Sequence, residues 1–292
     1  MTSLSRQQAT IEHPVTVSGF GYWTGEDVRV QFRAAPAGTG IVFVREDLPG
    51  TPTIPASVAY RADMPLRTSL CIDDHQIEMI EHIMSALAGL QIDNCQVWVN
   101  SVEMPGLDGS CLDFVRALEN AGRVTQDVVR KRLIVRSRIR VENENGWIEA
   151  TPSFDQTTKL KYSLDFSSEP AIGRQEFEFQ MGTQSFVKEV APARTFITAH
   201  VAEQLKAQGM GSRVSYSDLL VFDKQGPIEN QLRFTNECAR HKLLDLVGDL
   251  SLAGFDTIGN IHSCRGGHAL NAKLVEQLLL HARLTVPARQ VA

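Results

Sequence analysis

The sequence predicts an α+β protein of two similar domains, residues 1–126 and 127–292, each a β-sheet with a helical layer. Three observations predict it. Runs of strand-like alternation open each half of the chain. Each half then continues helix, strand, loop and helix, so the order of elements repeats. Finally, the first helix of each set opens on a charged residue followed by histidine, Glu81-His82 in EHIMSALAGL and Arg240-His241 in RHKLLDLVGDL.

Taken in order, Thr10 to Val44 alternates through VTVSGF, VRVQFRAAP and GIVFVRED, broken by glycine and proline, which reads as antiparallel strands and turns. Strand-like pieces follow at Thr53–Tyr60 and Arg67–Ile72. Gln76–Leu90 has helical spacing, with Ile77, Ile80, Ile83, Met84 and Leu87 on one side. Ile92–Val99 reads as a strand, EMPGLDGSC as a tight loop, and Leu112–Ala121 as a helix stopped by Gly122. Thr125–Arg132 is mostly polar and aperiodic, which predicts the linker. Strands resume in LIVRSRIRVE, GWIEATP, KLKYSLDF and QEFEFQM. APARTFITAHVAEQLKAQG reads as a loop entering a helix that ends at Gly209, and Asp218–Phe222 as a strand. A helix over Cys238–Gly254, a strand over Thr257–Ser263, the turn RGGH and a helix over Ala269–Ala282 close the chain.

Apolar residues make up 43% of the 292 positions, enough for one large or two ordinary domains, and the net charge is -5. That balance argues against nucleic acid or an anionic membrane as partner, while leaving room for a local basic pocket. The five cysteines are scattered and lack CxxC spacing, which suits free thiols in a reducing compartment. MTSLSRQQATIEHPV has no apolar core of a signal peptide, and no apolar run is long enough to span a bilayer. A soluble, cytoplasmic monomer is expected, and not an integral membrane protein.

His241, Asp245 and Asp249 follow one another at four-residue spacing, so they share one stripe of a helix whose remaining sides are apolar. Such a stripe faces water in the simplest reading. In the alternative, His241 and Asp245 hold a metal with Asp249 in support, since zinc accepts imidazole nitrogen and carboxylate oxygen. Glu81-His82 then supplies a third ligand and a carboxylate free to act as general base, if the two helical layers face each other. A surface charge and a core histidine are the plain readings of that pair. His268, after Arg265-Gly266-Gly267, is either part of a helix-capping loop or an acid that meets a developing oxyanion and leaving amine, kept protonated by Asp249. Thr195 reads first as a helix N-cap and second as an oxyanion donor. Lys242 is a solvated lysine or a phosphate contact, and Asp108 and Ser110 read as caps. GFGYWTG is too short for a phosphate loop, and no GxxxxGK[ST] or GxGxxG occurs.

Together, AGTGIVFVRED, EHIMSALAGLQIDN, EMPGLDGS, ARTF, LRF, RHKLLDLVGDL and RGGHALNAKL resemble the UDP-3-O-acyl-N-acetylglucosamine deacetylase family over roughly Thr10 to Leu284. The resemblance implies two similar α+β domains with zinc between their helical layers, and hydrolysis of an acylated UDP-sugar's acetamide as the committed step of lipid A synthesis. It puts the metal ligands at His82, His241 and Asp245, the general base at Glu81, and the catalytic histidine at His268 with Asp249 as its partner. Thr195 would contact the oxyanion and Lys242 the substrate's phosphate. A passage for the acyl chain, including Phe196 as a substrate contact, is expected in an insertion from Phe186 to Val221. Two imidazoles and a carboxylate suit ferrous iron as well as zinc.

The chain departs from the family pattern in three places. GFGYWTG carries Trp23 where the family has histidine in GxGxHSG. The glycine-rich stretch reads GMGSRVS, and FTNECARHK stands where a more acidic FxxExVRHK is expected. A catalytically silent relative and a deacetylase for another acetamido sugar are the rival readings. The first is disfavoured by retention of every ligand, the base and the Asp249–His268 pair.

Overall fold

The computed structural model describes residues 6–285. Part of the N-terminal segment read above, and the outer ends of both expected domains, fall on residues 1–5 and 286–292, outside the described residues.

Alternation becomes strand where the sequence shows it. Along DVRVQFRA every second side chain is buried (Val28, Val30, Phe32), because one face of the strand meets the core. The first half runs β1 (Gln7–Ile11), β2 (Val15–Phe20), β3 (Asp27–Ala34), β4 (Ile41–Arg45) and β5 (Thr53–Pro55). A 3-10 turn at Val58–Tyr60 leads into β6 (Arg61–Ala62), β7 (Ser69–Ile72) and β8 (His75–Glu78), then α1 (Glu81–Gly89), β9 (Cys95–Val99), α2 (Leu112–Asn120) and β10 (Arg123–Val129). The second half runs β11 (Arg132–Ile134), β12 (Ile139–Glu142), β13 (Trp147–Thr151), β14 (Thr158–Phe166) and β15 (Gly173–Gln180). Next come α3 (Thr183–Glu189), β16 (Phe196–Thr198), α4 (Ala199–Ala207), β17 (Leu220–Phe222), α5 (Glu237–Ser251), β18 (Asp256–Cys264) and α6 (His268–Thr285).

The fold is α+β, and the repeat read from the sequence is repeated in the sheets. One sheet has the order β2-β3-β9-β4-β5 and the other β12-β13-β18-β14-β15. In each, the central strand is antiparallel to one neighbour and parallel to the other, and the outer pairs are antiparallel. β11 adds a short parallel pairing to β18. Each half also carries an insertion at the same point, between the last outer strand and the helix: β6-β7-β8 in the first, and α3, α4 and the β16-β17 pair in the second.

The two halves touch along α1 and α5. Ser85 Oγ donates to the carbonyl of Leu244 at 2.9 Å. A Cβ on Gly248 would lie 2.2 Å from the carbonyl oxygen of Glu81, so only glycine lets the backbones approach this closely. At the far side Arg6 bridges Asp93, before β9, and Asp256, at the start of β18, both at 2.7 Å.

Several sequence expectations change. Thr125–Arg132 is no linker for most of its length: β10 pairs antiparallel with β1, with Ala9 opposite Thr125. This two-stranded ribbon leaves most β10 side chains exposed, so the sequence carries no apolar alternation to betray it. The helix expected from Gln76 begins only at Glu81. Gln76 to Glu78 belong to β8, and Met79, at a positive φ of 59°, turns the chain between them. Thr195 is not an N-cap: Thr198 caps α4, accepting from Val201 N–H. Among the described residues no helix is long and apolar enough to cross a membrane.

Candidate metal centre

The water-facing reading of the α5 stripe fails. His241, Asp245 and Asp249 are 1%, 3% and 1% exposed, and Leu243, Leu244 and Leu246 on the other sides are buried too. A buried carboxylate needs partners, and they come from other elements. His82, in the first turn of α1, brings its ring centroid to 5.1 Å from that of His241. Asp245 Oδ1 lies 3.3 Å from His241 Nε2 and 3.7 Å from His82 Nε2. Among the described residues these three form the one group of its kind able to hold a metal ion, with one ligand atom from each within 4.8 Å of the others.

The donor set fits a cation. Asp245 Oδ1 is buried with no hydrogen-bond partner, as is His82 Nδ1. A buried anionic oxygen without a donor, facing two imidazole nitrogens, is what a divalent ion would satisfy. His241 Nδ1–H donates to the carbonyl of Ala193 at 3.1 Å, which fixes the tautomer and turns the lone pair of Nε2 toward Asp245. Burial, against the pull of Asp245, depresses His241 to about 3. Burial also depresses His82. Both rings are therefore neutral and able to ligate. For Asp245, burial works against ionisation but is outweighed by its charged neighbours, Lys242 and His268 among them, which keep it ionised.

Glu81 opens α1, where the helix dipole favours a carboxylate, and is 3% exposed. Its Oε2 accepts the backbone N–H of Thr68 at 3.0 Å. Burial lifts Glu81 to about 7, with His268 opposing and Asp245 and Asp249 adding. A carboxylate at that value exchanges a proton near neutrality, as a general base must.

His268 is the first residue of α6 rather than part of a free turn. Its Nδ1–H reaches Asp249 Oδ2 at 2.9 Å. Burial opposes the charge on His268, but the charge and hydrogen bond of Asp249 prevail and lift it to about 9. Asp249 also accepts from Asn271 Nδ2 at 2.8 Å and from Thr68 Oγ1 at 2.6 Å. Sequence reading missed both residues. Asn271 lies one helical turn beyond His268 and was findable on that spacing. Thr68 sits in a short strand-edge segment that carries no motif.

The segment before β16 is tied to α5 from below. Arg194 and Glu237, 5% and 0% exposed, pair at 2.8 Å, and Arg194 N–H donates to the same carboxylate. Ala193 thereby meets His241, while Thr195 is held by its N–H to the carbonyl of Gly109 at 2.7 Å. Lys242 is not a free surface lysine: its ammonium donates to Asp245 Oδ2 at 2.8 Å, with the side chain 27% exposed. Phe196 is buried, edge-on to Phe166 and Phe222.

A cavity of about 1180 Å³ collects these groups. Glu81, His82, His241, Asp245 and His268 line it, as do Lys242, Thr195 and Phe196. Ala202, Leu205, Met210, Val214 and Val221 of the second insertion line it too. Trp23 also lines it, with the guanidinium of Arg67 4.4 Å above its ring.

Residues 8–280 match the family described as UDP-3-O-acyl N-acetylglycosamine deacetylase. Curated proteins named UDP-3-O-acyl-N-acetylglucosamine deacetylase, from Brucella ovis, Brucella melitensis biotype 2 and Brucella suis biovar 1, are each 38% identical to the chain over 278 residues. The matches cover 94% of this chain and 96% of each relative.

Proposed function

The chain belongs to the UDP-3-O-acyl N-acetylglycosamine deacetylase family, and from that premise we propose that it hydrolyses the acetamide of UDP-3-O-(3-hydroxyacyl)-N-acetylglucosamine. The products are acetate and the free amine, and the reaction is the committed step of lipid A biosynthesis. The observation that carries this reading is the shared cavity, lined both by a buried His-His-Asp group with Glu81 and His268 and by apolar side chains of the second insertion. An amphiphilic substrate, polar at the reacting sugar and apolar along its acyl chain, matches that division.

His82, His241 and Asp245 would hold the ion, zinc or ferrous iron. When bound it polarises the amide carbonyl as a Lewis acid and makes water acidic enough to be a nucleophile near neutrality. Glu81 accepts the proton of the attacking water as its oxygen bonds to the carbonyl carbon. Thr195 Oγ donates to the developing oxyanion. His268, with Nδ1–H engaged by Asp249, keeps Nε2–H to deliver a proton to the nitrogen as the C–N bond breaks. Lys242 meets a substrate phosphate once its ammonium leaves Asp245 Oδ2. Phe196 and the apolar side chains of the second insertion take the acyl chain.

The division into two domains belongs to the same reading, supported by the matching strand orders, although the boundary expected at residues 126 and 127 falls inside β10. So does a cytoplasmic site of action, which five free cysteines suit. The protein is read as acting alone, without a nucleic-acid partner.

Acetate release from the UDP-acyl-sugar, with and without a chelator, tests the proposal. Release that the chelator abolishes and added zinc restores is expected. Bound metal without release would leave a silent relative, and release only from another acetamido sugar would move the substrate.

A further inference from the structure

Thr68 stands where the two halves of the site meet, yet belongs to none of the three helices that carry the proposed acid, base and ligands. It lies in the first insertion, just before β7, and is 2% exposed. Its backbone grips the start of α1: the carbonyl accepts from Ile80 N–H at 3.2 Å, and the N–H donates to Glu81 Oε2 at 3.0 Å. Its side chain reaches into the other half. Oγ1 lies 2.6 Å from Asp249 Oδ1 and 3.0 Å from His268 Nδ1.

Donor counting assigns these contacts. A hydroxyl has one proton and two lone pairs, whereas an ionised carboxylate only accepts. The Thr68 proton therefore goes to Asp249 Oδ1, and a lone pair of Oγ1 receives His268 Nδ1–H, which is shared with Asp249 Oδ2. Asn271 occupies the remaining approach to Oδ2. Carboxylate, imidazole and hydroxyl close a three-membered ring of contacts, and each fixes the orientation of the other two. β-Branching restricts χ1 of Thr68, so the hydroxyl is held before any substrate arrives.

We propose that Thr68 is a positioning residue for the deacetylation, setting the Asp249–His268 pair with its hydroxyl and Glu81 with its backbone, so that proton acceptor and proton donor keep a fixed relation across the two halves. The inference rests on the catalytic reading of Glu81 and His268 given above. Thr68 touches no reacting atom; it acts through those that do.

Thr68→Val and Thr68→Ser, in the metal-loaded full-length protein, test it. Valine preserves shape and both backbone bonds, but leaves Asp249 Oδ1 without its donor and His268 Nδ1–H without its second acceptor. A hydrogen bond to a charged group corresponds to roughly 10- to 100-fold. The expected loss is of that size in kcat, with KM and metal content close to those of the parent and a lower thermal midpoint, since a buried carboxylate oxygen loses its donor. Serine, which keeps the hydroxyl, should recover most of the rate. The proton resonance of His268 Nδ1–H, recorded by NMR with 15N-labelled histidine, should move in the valine variant and return with serine. A purely structural side chain would lower the thermal midpoint while leaving that resonance and kcat alone.

Valine at the parent's kcat with an unmoved resonance would overturn the proposal. If the parent itself releases no acetate, the function fails, but the resonance still decides whether Thr68 orders the pair. Should the valine protein not fold, Thr68→Ala carries the same comparison.

Discussion

The two halves are built on one plan and used differently. Both sheets have the same strand order and the same senses, and both place a helix before the central strand. Counting from the shared histidine, Ile83, Ala86 and Leu90 in the first half stand where Lys242, Asp245 and Asp249 stand in the second. The first helix therefore brings its site groups only in its opening turn, as Glu81 and His82, and is otherwise apolar core. The second carries a polar stripe along its length, buried because α1, α6 and the segment before β16 supply its partners. The lesson is one of division of labour. Neither helix could keep its charged groups buried alone, so the site exists only where the halves touch.

Breaking that division at the ligands should have the largest effect. His241→Ala is expected to remove bound metal and essentially all turnover. Glu81→Ala, from the other half, should keep the metal and lose roughly two to four decades of kcat, the range of a general base. Elemental analysis beside acetate release separates them; a His241→Ala protein with full metal, or a fully active Glu81→Ala protein, would undo the assignment.

Asp249 gives a middle-sized effect with a pH signature. His268 is lifted from 6.5 to about 9 because Asp249 overcomes the opposing burial. A raised folded-state value contributes stability that is fully present below 6.5 and lost as pH rises through about 9. The alkaline limb of kcat/KM should fall in that same range. In Asp249→Asn, burial is no longer overcome, so the limb should move to lower pH and the loss of stability between 6.5 and 9 should flatten. A profile identical to the parent's would contradict the pairing.

The smallest expected effect sharpens the comparison most. Gly89 and Gly248 occupy equivalent positions in α1 and α5. A methyl on Gly248 meets the carbonyl of Glu81 at 2.2 Å, whereas one on Gly89 meets the ring of Phe186 at 2.2 Å. Both clashes fall on buried groups, but the carbonyl cannot move without carrying Glu81 and His82 with it, whereas Phe186 belongs to none of the proposed ligands. Gly248→Ala should cost about 1–3 kcal/mol and lower metal content as well. Gly89→Ala should also destabilise but leave the metal in place, as denaturation midpoints and metal analysis would record.

The sequence by itself determined the α+β class, the repeat, most strand and helix positions, and the candidate ligands His82, His241 and Asp245, but not Thr68 or Asn271 beside them. Periodicity of burial is written locally, so Asp27–Ala34 and the α5 segment were legible from their own residues. Where no apolar pattern is needed, the sequence was mute: β10 is a largely exposed strand held by backbone pairing to β1, and it reads as a linker. Burial of the α5 stripe was likewise undecided, since a row of His and Asp looks alike whether it faces water or a partner helix. Only tertiary structure brought His82 to Asp245, moved the capping role from Thr195 to Thr198, turned Lys242 onto Asp245, and set Thr68 between Asp249 and His268. These contacts join residues far apart in the chain. Their energetics depend on desolvation and on distances of about 3 Å, and neither is encoded in spacing along one strand or helix.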